Sequence, residues 1–99
     1  MLKVTIRIRG NDKYEGKSLF DHILTLLQNN KIRGATVYRG IHGYGLRGVA
    51  TMKVLGLSLD LPLIIEIIDM HEKLEPLLFD IKRIVNDNGI ITLEDVYVI

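Results

Sequence analysis

LPLIIEIIDMHEKLEPLLFDIKRIVNDNGIITLEDV, residues 61–96, decides how this chain folds. Leu63 to Ile68 is apolar except at Glu66, the pattern of a strand covered on both faces. Leu74, Leu77, Leu78, Ile81, Ile84 and Val85 then recur at helical spacing and form one apolar stripe. A proline deep in a helix loses a hydrogen bond and clashes with the preceding turn. Pro76 is therefore predicted to lie in the first turn, with the helix beginning near Glu72 or Lys73. Lys82 and Arg83 complement the dipole at its far end, and Asn88-Gly89 stops it. Ile90 to Ile99 reads as a final strand, or two pieces around Glu94-Asp95.

The N-terminal half has the same rhythm. Leu2, Val4, Ile6 and Ile8 alternate with Lys3, Thr5, Arg7 and Arg9, a strand with one buried face. Gly10-Asn11-Asp12 breaks it. Ser18 and Asp21 make an S-x-x-D helix start, followed by an apolar stripe from Leu19 to Leu27 that ends near Asn30. Ala35 to Ile41 is rich in strand formers, and Thr51 to Leu55 reads as a short strand within a glycine-containing loop. The order β-α-β-β-α-β predicts an α+β, ferredoxin-like sandwich: a four-stranded antiparallel sheet with two helices on one face, in a single domain over residues 1–99. One face of that sheet is left open. Leu63, Ile65 and Ile67 oppose Ile64 and Ile68 across the third strand, so one set needs a partner outside the chain. A closed ring of subunits, a trimer, would supply it.

Bulk properties narrow the class. There is no cysteine, so neither a disulfide framework nor a cysteine metal site is available. The longest apolar run is too short to span a bilayer, and the alternating N-terminus lacks a signal-peptide core. These features predict a cytoplasmic protein that is not membrane-embedded. The formal charge of +1 conceals an asymmetry. Between His22 and Leu59 there are Lys31, Arg33, Arg39, Arg47 and Lys53 and no acid, whereas the stretch after Leu59 is strongly acidic. With a pI near 8.0 the chain does not read as a nucleic-acid binder, which would carry a broader basic face. The asymmetry points to a local anion site.

That site centres on RGIHGYGLRG, Arg39 to Gly48. Gly43, Gly45 and Gly48 spell G-x-G-x-x-G, but a dinucleotide fingerprint must open a helix, and VATMKVLGLSLDLP does not make one. A plain turn needs one or two glycines, not four interleaved with Arg39, His42, Tyr44 and Arg47. Glycine lets main-chain amides approach a phosphate and form a nest. Arginine pairs with phosphate through two N–H groups, and Tyr44 is placed to stack on a base.

KVTIRIRGNDKYEGKSLFDHIL, GATVYRGIHGYG, LPLIIEIID and GIITLEDV, in that order, resemble the small PII-like proteins of bacteria and archaea, domain-of-unknown-function family 190. The resemblance spans nearly the whole chain, and GATVYRGIHGYG is its most specific part. It implies a signalling protein assembled as a PII-like homotrimer, with an adenine nucleotide (AMP, ADP or ATP) in clefts between subunits. It also implies that residues 42–59 correspond to the mobile T-loop of PII proteins, which docks on protein partners, and that Arg39 to Gly45 form its base beside the phosphates. The second phosphate-facing turn of PII carries Gly-Asp-Gly-Lys; the matching stretch here is Asp87-Asn88-Gly89-Ile90, with the lysine replaced.

The expected ligand residues are thus Arg39, Gly40, His42, Gly43, Tyr44, Gly45 and Gly89. Arg47 is expected as a mobile phosphate or partner contact, and Glu66 as a group that orients Arg39 or a ribose hydroxyl. No catalytic motif is present, so no enzyme is expected, and no residue is assigned to a metal. Asp69-Met70-His71-Glu72 reads as a helix start, Glu94-Asp95 as a solvated turn or intersubunit salt-bridge site, and His22 as a surface or partly packed histidine. Two other readings stand beside the nucleotide sensor: an interaction module that docks its basic loop on a transporter or other partner, and a metal-binding trimer.

Overall fold

The computed structural model of the chain describes residues 1–51 and 60–99. Among the described residues, eight strands and three α-helices follow in order: β1 (Leu2–Arg9), β2 (Lys13–Tyr14), β3 (Lys17–Ser18), α1 (Leu19–Asn29), β4 (Ala35–Arg39), β5 (His42–Gly45), β6 (Gly48–Thr51), β7 (Pro62–Asp69), α2 (His71–Leu74), α3 (Leu78–Val85) and β8 (Ile90–Asp95). The main sheet has the order β4-β7-β1-β8, antiparallel throughout. This is the expected ferredoxin-like arrangement.

Strand alternation sorts the sheet into two faces. Leu2, Val4, Ile6 and Ile8 of β1 and Leu63, Ile65 and Ile67 of β7 are buried. They pack with Leu19, Ile23 and Leu27 of α1 and with Leu74, Leu77, Ile81, Ile84 and Val85 of the C-terminal helices. Among the described residues, no helix covers the opposite face. It carries Lys3, Thr5 and Arg7 of β1, Ile64, Glu66 and Ile68 of β7, Thr36 and Tyr38 of β4, and Ile90 and Thr92 of β8, as the register dictates. Tyr38 is 49% exposed there, Ile68 38% and Ile90 58%, an apolar content unusual for a solvated sheet.

Local signals account for the helices. The Ser18 hydroxyl accepts from the amide of Asp21 and caps α1. The second helix departs from its expected start. It begins at His71, and Pro76 sits not in its first turn but in a 3₁₀ turn, Glu75–Leu77, between α2 and α3. Proline has no N–H for the α-helical ladder, so the chain tightens across it and resumes. The apolar stripe survives because Leu74, Leu77 and Ile81 keep their three- and four-residue spacing.

Other boundaries also differ. The second main strand ends at Arg39, not Ile41, and the last ends at Asp95 rather than Ile99. Strand β6 spans Gly48–Thr51, and residues 52–55 of the strand expected at Thr51 to Leu55 lie outside the described residues. Glu94 and Asp95 are not a solvated turn. Glu94 pairs with Lys3 at 3.2 Å and Asp95 with His71 at 2.7 Å, both within the chain.

Candidate functional site

The glycine cluster folds as a hairpin. β5 pairs antiparallel with β6, with Leu46 and Arg47 at the tip. Three of the four glycines have a structural cause. Gly48 adopts φ +98°, which the turn requires. A Cβ on Gly40 or Gly43 would come within 3.0 Å of the Pro62 ring, so both let the hairpin lie against the start of β7. Gly45 has open space around it. The amides here belong to a two-stranded ladder, not to the open nest expected from the sequence, and Gly48 opens strand β6 where a dinucleotide fingerprint would require a helix.

Between the hairpin and the main sheet lies a cavity of about 500 Å³, within the roughly 300–1,000 Å³ of small-molecule sites. Arg7, Ile8 and Arg9 at the end of β1 line one side, Gly43 to Arg47 and Ala50 the other, and Pro62 and the turn Asp87 to Ile90 the rest. Gly89 is indispensable to this geometry. Its backbone is extended, and a Cβ there would fall 2.0 Å from the carbonyl oxygen of Arg7. The left-handed residue after the helix is instead Asn86, at φ +52°.

Two of the arginines are already engaged. Arg47 donates from Nη1 and Nη2 to the two carboxylate oxygens of Asp12, at 2.6 and 3.0 Å, and also to the carbonyl of Asn88. Asp12 is buried and accepts the amide of Arg9 at 2.8 Å. The hydrogen bond to Asp12 raises the Arg47 guanidinium above its ordinary value, against the opposing pull of partial burial. Arg9 binds Asp60 at 2.9 Å and the carbonyl of Gly48. Arg47 is thus a clamp that fastens the hairpin tip to the β1–β2 turn and to the turn before β8, rather than the mobile contact expected.

Of the expected ligand residues, Gly43, Tyr44, Gly45, Arg47 and Gly89 meet at the cavity, with the Tyr44 ring 87% exposed. Arg39, Gly40 and His42 lie outside its lining, at the exit of edge strand β4. Glu66 lies on the opposite sheet face from Arg39 and so does not orient it. It pairs with Thr5 and Thr36 on the open side and binds Lys3 at 3.5 Å, whereas Arg39 opposes Leu63 on the helix side. Three residues separate Glu66 from Leu63, an odd number, so alternation puts them on opposite faces. Sequence reasoning missed Arg7 and Arg9. Their signal was the charged half of the β1 alternation, which carries no information about what lies opposite until the strand order is known.

A second cluster ties the far end of β8 to α2. His71 bridges Glu75 through Nδ1 and Asp95 through Nε2, both at 2.7 Å. The hydrogen bonds to Glu75 and then Asp95 raise its pKa above the ordinary 6.5. Asp69 closes β7 and is fully buried. Burial alone would push its carboxyl up, but the amides of Arg33 and Met70 and the Lys73 ammonium outweigh it and hold the group below its ordinary value. His22 packs edge-on against Tyr14, ring centroids 5.1 Å apart. Among the described residues no group of three His, Asp or Glu side chains is arranged to hold a metal within one chain, and no helix is long and apolar enough to cross a membrane.

The model of the DUF190 family, described as "Uncharacterized ACR", matches residues 1–98. This chain belongs to the DUF190 family. Its curated relatives include a UPF0166 protein of Methanocaldococcus jannaschii, 42% identical over 93 residues, covering 94% of this chain and 86% of the relative. A UPF0166 protein of Aquifex aeolicus is 40% identical over 90 residues, covering 90% and 84%. Among solved structures, the DUF190 chain is similar in fold to CPII, a nitrogen regulatory PII-like protein from Thiomonas intermedia. CPII bound to ADP and bicarbonate superposes with a TM-score of 0.72 at 20% identity, covering 96% of this chain and 84% of CPII. CPII bound to ADP, AMP and bicarbonate gives a TM-score of 0.69 at 22% identity with the same coverage. At such identities the likeness establishes a PII-like fold for this DUF190 protein.

Proposed function

We propose that the protein is a PII-like regulator that binds an adenine nucleotide in the hairpin cavity, where two subunits of a homotrimer meet. The observation that carries this reading is the place of the cavity. Arg7, Pro62 and Ile90 line it and also belong to the open sheet face, so a copy packed on that face would close the cavity's mouth. The glycines of the hairpin and Gly89 give a phosphate access to main chain, Arg7 supplies charge, and Tyr44 is an exposed ring for stacking a base. Arg39, Gly40 and His42 would contribute from the rim. The nucleotides carried by CPII support the same assignment.

The regulatory step follows from the clamp. The hairpin is held by Arg47 to Asp12 and by Arg9 to Asp60, and it leads directly into residues 52–59. A ligand shifts such an element only as far as it prefers one of its states. Nucleotide in the cavity touches both sides of the hairpin base, so occupancy changes what the segment 42–59 presents to a protein partner.

Thermal melting with AMP, ADP or ATP tests the reading. A ligand at about 100 times its dissociation constant stabilises by roughly 2.7 kcal/mol, which raises the melting temperature of a domain this size by about 10 °C or more. No shift with any of the three would overturn the proposal.

A further inference from the structure

Among the described residues, two of the three arginines at the hairpin cavity are paired with acids. Its lining holds three arginines, Arg7, Arg9 and Arg47, and one acid, Asp87. Behind the lining, Asp60 pairs with Arg9 and Asp12 pairs with Arg47 through both oxygens. The Asp12 side chain is 3% exposed. A ligand phosphate that captured Arg47 would strip a buried carboxylate of its counter-ion, one of the costlier events in a protein interior. Arg7 differs. It is exposed, and among the described residues it makes no hydrogen bond or ion pair. Ile90 gives an apolar wall.

We infer that the cavity selects a nucleoside monophosphate, with its single phosphate on Arg7, and that Asp12 sets this limit by withholding Arg47 from a second or third phosphate. The inference rests on the nucleotide reading of the site and narrows it. The phosphates of ADP and ATP bring additional negative charge. Among the described cavity arginines Arg9 and Arg47 are both paired, so that extra charge meets no second open guanidinium unless the Arg47–Asp12 pair breaks. One open guanidinium matches one phosphate. Asp12 is a positioning residue here: it acts on the ligand through Arg47.

Calorimetric titration with AMP, ADP and ATP, without magnesium so that the phosphate charge is unmasked, tests the inference. The expected order is AMP tightest and ATP weakest, with a gap of about tenfold or more between them. Asp12→Asn keeps the side-chain size, removes the counter-charge and frees Arg47. It is expected to strengthen ATP binding more than AMP binding and so to close the gap, which a merely structural role for Asp12 would not do. Arg7→Gln, at an exposed position, is expected to abolish AMP binding with the melting temperature of the unliganded protein unchanged. ATP binding as tightly as AMP to the unaltered protein would overturn the inference and leave the nucleotide reading intact. So would an unchanged ATP-to-AMP ratio in folded Asp12→Asn. If none of the three nucleotides binds, both readings fall. The ranking on the unaltered protein is decisive even if Asp12→Asn does not fold.

Discussion

Gly89 shows what a single residue contributes to this site. Its missing side chain lets the turn before β8 sit on the Arg7 carbonyl, where a Cβ would stand only 2.0 Å away. Gly89→Ala must move main chain, and overpacking of this kind costs about 1–3 kcal/mol, sometimes more. The expected outcome is a melting temperature lower by at least several degrees, measured by circular dichroism, together with loss of nucleotide binding. An unperturbed melt would show that the turn is not pinned there. The sequence marked Gly89 for a helix stop and, by resemblance, for a phosphate turn. The reason found is different, because close approach to a neighbouring strand leaves no trace in local sequence. The same holds for Arg47: nothing in RGIHGYGLRG names Asp12, thirty-five residues away, as its partner. Pairwise long-range contacts are what a periodicity reading omits.

At the scale of elements, His71 and its two acids fasten β8 to α2. Because the folded pKa is raised above the ordinary 6.5, this cluster stabilises fully below about pH 6.5, and its contribution is lost as pH rises through the raised value. His71→Gln is therefore expected to destabilise the protein at pH 6 and to converge on the unaltered protein well above neutrality, as urea denaturation at several pH values would show. A difference independent of pH would rule out the charged bridge. Asp69 works in the opposite sense. Its lowered folded value means that its contribution is present above its ordinary 3.8 and is lost only as pH falls below it. The elements themselves were legible wherever periodicity was long. The β1 alternation, the Ser18 cap and the stripe from Leu74 to Val85 each correspond to the observed structure. Ends were less legible. Pro76 breaks the helix in its middle because the stripe on either side is strong enough to sustain two short helical pieces, a tertiary outcome that overrides the local rule. The hairpin was read as a loop because glycine is a poor strand former, yet β5 and β6 pair across a tight turn pressed onto Pro62.

For the whole molecule, the order of elements was enough to place two helices on one sheet face and, among the described residues, to leave the other without a second layer. The bare face carries Tyr38, Ile64, Ile68 and Ile90 and adjoins the cavity through Arg7 and Ile90. Light scattering is expected to give the mass of three chains. Tyr38→Asp with Ile68→Asp is expected to reduce it to one while the far-ultraviolet circular dichroism is retained, because neither side chain belongs to the helix-side core. A stable trimer in that double variant would mean that subunits meet elsewhere. The Lys3 bridge to Glu66 and Glu94 shows how the polar part of the face is neutralised before any such packing. The claim on which the rest depends is that the hairpin cavity is the ligand site. A crystal structure of the protein grown with AMP tests it most directly. The account predicts the nucleotide between the hairpin and the end of β1, with phosphate oxygens within hydrogen-bonding distance of the Arg7 guanidinium. Nucleotide bound away from the Gly43 to Arg47 hairpin would contradict it.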